Sequence, residues 1–184
     1  MVQFKAHSIL AGAYGAVAAV AAACTSDLLV DDFSSSSTTN RNNLGSWTSD
    51  DASMTSISAA GGILSFTPKS GAYYYETFPC QALQTDLYTH VQLDIKAPVS
   101  GAAFTTELNS ASSCSATTSS KTSFRVTGLT GGWQTLRIPL SNFAAGNLNA
   151  ALSFVVGVIS NVNFHYDYYG YAGPYKLGAI SDPI

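Results

Sequence analysis

Apolar and polar residues alternate with period two along most of the chain beyond residue 27. In THVQLDIKAP, Val91, Leu93 and Ile95 fall on one face and Gln92, Asp94 and Lys96 on the other. AAFTTELN sets Phe104, Thr106 and Leu108 against Ala103, Thr105 and Glu107, and WQTLRIPLSNF aligns Leu136, Ile138 and Leu140. Alternation of this kind marks half-buried β-strands, because successive side chains leave a strand on opposite faces. GGILSFTP and SFRVTGL are shorter runs of the same type. ALSFVVGVIS is more continuously apolar, as a central strand covered on both faces would be. Turn residues separate the runs at Gly61-Gly62, Pro68 to Gly71, Pro98 to Gly101, Gly131-Gly132 and Gly146-Asn147. No stretch after residue 27 carries the 3.6-residue period of an amphipathic helix. Nine or ten short strands at this spacing predict an all-β sandwich or barrel, with two antiparallel sheets of four or five strands. The first strand is DLLVDDF and the last YKLGAISD.

Residues 1–23 break the pattern. MVQFKAHSILAGAYGAVAAVAAA places one lysine before an Ala-rich apolar run that ends in small residues, the layout of a secretory signal. The run is short and weakly apolar against the roughly 20 residues that span a bilayer. The expectation is a signal peptide over 1–23 and a single domain over 24–184, secreted and located outside the cell or in a cell wall, with no membrane contact once the signal is removed. Seven basic and eleven acidic residues then remain. That balance argues against nucleic acid as a partner, which calls for a basic patch. An exported domain folds where disulfides persist, so Cys80 and Cys114 are expected to pair, leaving Cys24 unpaired at the cleavage point. The domain is expected to be a monomer.

LLVDDF at the start, GGWQTLRIPLSNF two-thirds along and YKLGAISD at the end resemble the motifs of galactose-binding-like jelly rolls, which include carbohydrate-binding modules and CIA30-like domains. LGSWTSDDASMTSI, YYYETFPC and SSCSAT look more narrowly like small secreted fungal proteins with such a domain. The closing strand departs from the pattern, with Gly178-Ala179 where acidic residues are usual. The resemblance implies a jelly-roll β-sandwich with a sugar-facing sheet, a structural calcium near the chain ends, no organic cofactor and no catalysis. Asp31, Asp32 and Asp182 are the acidic residues placed to hold that calcium, since the terminal strands should be neighbours and calcium takes six to eight oxygens. Asp31 and Asp32 point to opposite faces of a strand, so one of them at most is an inward ligand.

Aromatic residues supply the candidate binding surface. Of the ten tyrosines, eight cluster in AYYYETF and NFHYDYYGYAGPY, and a tyrosine combines an apolar face with a hydroxyl, which suits stacking on a sugar ring. Tyr73 and Tyr75 share one face of their strand; Tyr74 and Glu76 share the other. Trp47 is the candidate platform, with Asp50 and Asp51 forming a turn beside it or a polar clamp on sugar hydroxyls. Trp133 starts a strand typical of the resemblance and is read as structural, with ligand binding as the alternative. The binding surface is therefore expected to comprise Trp47, Tyr73, Tyr75, Glu76, Asp50 and, from the tyrosine-rich 164–175 segment, Tyr168. Gly170 and Gly173 suggest that this segment becomes a loop.

Enzymatic alternatives have less support. A glycosidase needs two carboxylates flanking the scissile bond, and nothing sets any pair of carboxylates at that separation. A polysaccharide lyase acting by β-elimination could draw on His165, His90, Tyr74, Tyr168 and Arg125, with Arg137 as a further cation. No G-x-S-x-G elbow, phosphate loop or zinc cluster is present. The reading is a noncatalytic protein that binds a neutral polysaccharide such as a cell-wall glycan. The alternatives are a jelly-roll lyase and a wall-associated or effector protein with a protein partner.

Overall fold

The computed structural model describes residues 27–34, 40–158 and 169–179. The signal-like segment, Cys24, His165, Tyr168 and Asp182 lie outside them. The described residues form eleven strands: β1 (Leu28–Asp31), β2 (Thr48–Ser49), β3 (Met54–Ala60), β4 (Ile63–Pro68), β5 (Tyr74–Gln81), β6 (Tyr88–Lys96), β7 (Phe104–Ala111), β8 (Ser119–Val126), β9 (Trp133–Pro139), β10 (Ala151–Val158) and β11 (Tyr169–Ala179). One sheet has the order β3-β4-β11-β6-β9, with β1 also paired to β11. The second has the order β2-β5-β10-β7-β8. Every pairing is antiparallel. This is the expected jelly-roll sandwich, slightly richer in strands than the runs suggested, and its first and last described strands are neighbours.

Alternation decides which residues enter the interior. Val91, Leu93 and Ile95 of β6, Ile138 of β9 and Leu64 and Phe66 of β4 face inward from one sheet. Tyr74 and Phe78 of β5, Phe104 and Leu108 of β7 and Phe154 of β10 meet them from the other. Each such side chain contributes roughly 1.5–3 kcal/mol on burial. A short 3-10 turn, Leu140–Phe143, closes one end by driving Phe143 edge-on against Phe124 and Phe154, at centroid distances of 6.3 and 6.0 Å. The β3–β4 hairpin turns on Gly61 and Gly62, whose φ values of +60° and +75° suit the tight turn that matches strand twist. Cys80 at the end of β5 is bonded to Cys114 in the β7–β8 loop.

The segment around Gly170 and Gly173 differs from expectation. It is part of β11, the strand that joins β4, β6 and β1 into one sheet. Its ladder with β6 is interrupted between Ala172 and Lys176, the interval that contains Gly173 and Pro174. A proline cannot donate to a ladder, so an irregularity there lets the strand continue past it.

Candidate functional site

The outer face of the second sheet carries a cluster of aromatic side chains, Trp47 exposed and Tyr73 and Tyr75 half-buried. The turn residues Asp50 to Ser53 reverse the chain between β2 and β3, and Asp50 closes that turn: its Oδ2 accepts from Met54 N at 2.9 Å and its carbonyl from Ser53 N at 2.8 Å. Asp51 follows with φ +48°, a left-handed conformation that aspartate tolerates better than most residues. That conformation accompanies a carboxylate held over the sheet. Tyr73 Oη donates to Asp51 Oδ2 at 2.9 Å and Tyr75 Oη to Asp51 Oδ1 at 3.2 Å. Trp47 Nε1 in turn donates to Tyr75 Oη at 3.1 Å. The carbonyl of Trp47 accepts from both the amide and the hydroxyl of Thr77, which fixes the indole's backbone to β5. Trp47 remains 46% exposed.

A groove of about 470 Å³ runs from this cluster across the strands. Its floor follows two cross-strand rows. Tyr75, Val155, Glu107 and Ser123 are successive partners on β5, β10, β7 and β8, and so are Thr77, Ser153, Asn109 and Lys121. From β2 to β8 the face spans roughly 19 Å, four strand spacings. The far end is polar: Lys121 Nζ lies 3.2 Å from Glu107 Oε1, Ser123 Oγ donates to the same oxygen, and Asn109 Nδ2 donates to Ser153 Oγ at 3.0 Å. The groove thus offers stacking at one end and a graded set of donors and acceptors at the other. The Asp51 carboxylate and partial burial hold both tyrosine hydroxyls above the usual phenol range, with the hydrogen bond to Asp51 the larger cause for Tyr73 and burial for Tyr75. Both therefore stay protonated, and neither is primed as a base.

Trp47, Tyr73 and Tyr75 are brought together as expected, but other candidates are not. Glu76 is 1% exposed and points into the sandwich, because its parity on β5 is that of Tyr74 and Phe78. Asp50 serves its turn, and Asp51 takes the place beside the tyrosines. Trp133 is not an interior residue: it opens edge strand β9 in outward register and is 46% exposed on the other sheet. The described members of the lyase set, Tyr74, Arg125 and His90, stand apart, and His165 and Tyr168 lie outside the described residues. Tyr74 is buried in the core, and its pKa is raised by desolvation and the neighbouring Glu76. Arg125 stands on β8 of the second sheet and His90 on β6 of the first. Burial and then Arg137 lower the pKa of His90.

Of the residues expected to hold calcium, Asp31 ends β1, Asp32 follows it, and Asp182 lies outside the described residues. Asp31 points inward and is fully buried, whereas Asp32 turns outward, with its Oδ1 accepting from the amide and hydroxyl of Ser34. The two cannot ligate one ion, and the described residues contain no cluster of three metal-ligating side chains. Glu107, Asn109, Lys121 and Ser153 went unrecognised as groove residues. The polar parity of Glu107 was legible, but its position across β10 from Tyr75 was not.

No protein-family model matches this sequence, and no curated protein matches it. Solved structures do. The family 11 carbohydrate-binding module of a cellulosomal cellulase of Clostridium thermocellum superposes with a TM-score of 0.56 at 16% identity, covering 86% of this chain and 97% of its own. The family 11 module from the same organism, in complex with a β-1,3-1,4-mixed-linked tetrasaccharide, gives a TM-score of 0.54 at 16% identity, covering 85% and 98%. An agarase matches with a TM-score of 0.57 at 12% identity, over 85% of this chain but 25% of the enzyme. At these identities the likeness is one of fold. The chain has the jelly-roll β-sandwich fold seen in carbohydrate-binding modules.

Proposed function

We propose that this protein is a secreted, noncatalytic polysaccharide-binding protein that lays a neutral glycan across the outer face of its second sheet. The observation that carries the reading is the hydrogen-bonded plateau of Trp47, Tyr75, Asp51 and Tyr73 at the head of the cross-strand groove. An indole whose nitrogen is tied to a neighbouring hydroxyl is preorganised, so little side-chain freedom is lost when a sugar stacks on it. Tyrosine hydroxyls, Asn109, Ser153 and the Glu107–Lys121 pair can then exchange hydrogen bonds with ring hydroxyls along the groove. The fold supports the reading by analogy, since a module with this fold has been solved in complex with a mixed-linked tetrasaccharide. Secretion rests on the signal-like residues 1–23.

The test is retention of the mature protein on gels containing mixed-linked β-glucan, cellulose derivatives, mannan or chitin, with polyuronates run in parallel and monitored for the ultraviolet absorbance of unsaturated products. Retention on a neutral glycan with flat absorbance is expected. Trp47→Ala should weaken it by about 30-fold or more, as truncation of a central aromatic anchor does, without lowering the melting temperature. Rising absorbance on a polyuronate would replace the binding reading with β-elimination.

A further inference from the structure

The chain has two tryptophans, and the sandwich displays both, each 46% exposed, on different sheets. An exposed indole forgoes much of the area an aromatic side chain normally buries, and the Trp47 surface does not explain Trp133. Trp133 is presented by a fixed turn. Thr130 bridges to Ser100, Gly101 N donates to Leu129 O at 2.7 Å, and Gln134 Oε1 accepts from both the amide and the hydroxyl of Thr130. Gly131 has φ +81°, and a Cβ there would come within 3.0 Å of the Ser100 amide nitrogen, so the turn packs tightly on that backbone.

Beside the indole lies a groove of about 350 Å³, lined by Ile63, Asp94, Gln134 and Thr135 together with Trp133 itself. Ile63, Ala172, Asp94 and Thr135 are successive partners on β4, β11, β6 and β9, so this groove also crosses strands. Asp94 Oδ1 accepts from Thr135 Oγ1. One register step away, Arg137 Nε donates to Gln92 Oε1 at 3.1 Å. A protein hot spot would set the tryptophan among further apolar groups. Among the described residues lining this groove, Ile63 is the one aliphatic side chain beside Trp133, and Asp94, Gln134 and Thr135 bring carboxylate, amide and hydroxyl groups.

We infer that Trp133, with Asp94 and Thr135, forms a second surface for a neutral polysaccharide on the first sheet, making the protein bivalent. This goes beyond the proposed function, which concerns the second sheet alone. The two surfaces face away from each other across the core. One molecule cannot lay both on a single flat fibre, but it can bridge two glycan chains, so the second surface acts by cross-linking.

The experiment titrates the full mature chain with a β-1,3-1,4-mixed-linked tetrasaccharide and measures light scattering when the protein is mixed with soluble mixed-linked β-glucan. Wild type is expected to bind two tetrasaccharides and to raise scattering. Trp133→Ala and Trp47→Ala should each bind one and leave scattering at the level of the polysaccharide alone, with unchanged melting temperatures and molecular mass. Asp94→Asn, which removes charge without removing the ring, should weaken the Trp133 surface alone. One tetrasaccharide per wild-type chain and unaltered scattering for Trp133→Ala would overturn the second surface and leave the first standing. Loss of all binding in Trp133→Ala with none in Trp47→Ala would keep this surface and overturn the proposed one, and no binding by wild type would overturn both.

Discussion

Asp31 of β1 and Glu76 of β5 face each other inside the sandwich, within hydrogen-bonding reach and carried by different sheets. Both are essentially inaccessible to solvent. Asp31 Oδ1 accepts from Phe33 N at 2.7 Å, and Glu76 Oε2 accepts from Asn42 Nδ2 at 3.0 Å. Asp31 Oδ2 and Glu76 Oε1 have no other partner. Two neighbouring buried carboxyls resist ionising together, so the pair tends to keep a proton. The stitch joins the first strand to the opposite sheet.

A pH dependence follows. Burial lifts Asp31 from 3.8 to about 6 and lifts Glu76 well above its ordinary value. The folded state therefore binds protons more tightly than the unfolded chain. The pair's contribution is most favourable below the ordinary carboxylate range and falls as pH rises through about 6. Asp32, lowered by its bonds to Ser34, works in the opposite sense and loses its contribution as pH falls below its usual value. For Asp31 alone the effect is on the order of 3 kcal/mol at neutral pH. Melting temperature should rise on going from pH 7 towards pH 5. Glu76→Gln should raise the melting temperature at pH 7 and flatten that slope, because an amide can donate to Asp31 Oδ2 at any pH. A slope identical to wild type would show that the pair does not hold the proton.

Asp51 organises the Trp47 surface without touching the core. Asp51→Ala releases both tyrosine hydroxyls and places alanine at φ +48°, whereas Asp51→Asn keeps a side chain that tolerates this conformation. Asp51→Ala should weaken glycan retention by about tenfold, the scale of one or two hydrogen bonds, and Asp51→Asn less. Gel retardation together with thermal melts separates the two effects. Equal retention for both variants would remove Asp51 from the site.

The Cys80–Cys114 bond closes a segment of 34 residues that includes β6 and β7. Reduction should destabilise the fold by about 3–4 kcal/mol, or roughly 10 °C in melting temperature for a domain of this size. Once refolded below that temperature, the reduced protein should still bind glycan, because neither cysteine lines the groove. Calorimetry with and without reductant tests the first point and gel retention the second.

Calcium at the chain ends would draw on either Asp31 or Asp32, because the two point in opposite directions. Such a site should make the melting temperature higher in millimolar calcium than in EDTA, because a ligand that binds the native state raises it by mass action, and equal values would remove calcium from the chain ends. A calcium-dependent rise that survives Asp31→Asn would point to a site built on Asp32.

Much of the fold was legible in the residues themselves. Strand parity in β6, β7 and β9 follows directly from alternation, and the terminal strands pair as the jelly-roll resemblance implied. Tyr74 and Glu76 could be set apart from Tyr73 and Tyr75, since a strand allows two faces and no more. Which face is interior was not legible for YYYE, where both carry aromatics. Core burial took Glu76 because its parity is that of Tyr74 and Phe78, and Asp31 on β1 supplied the partner that lets a carboxyl be buried there. Gly170 and Gly173 suggested a loop, and an irregularity in one ladder after Ala172 let the segment remain a strand.

The sequence by itself determined the local alternation, the turns and the pairs of residues that share a face, because these depend on chain geometry over a few residues. Tertiary structure alone decided that Asp51 sits over Tyr73 and Tyr75, that Glu107 and Lys121 end the same groove, and that the two tryptophans stand on different sheets. These relations depend on which strands are neighbours. Strand order is chosen by packing the whole core at once, and no local pattern encodes it.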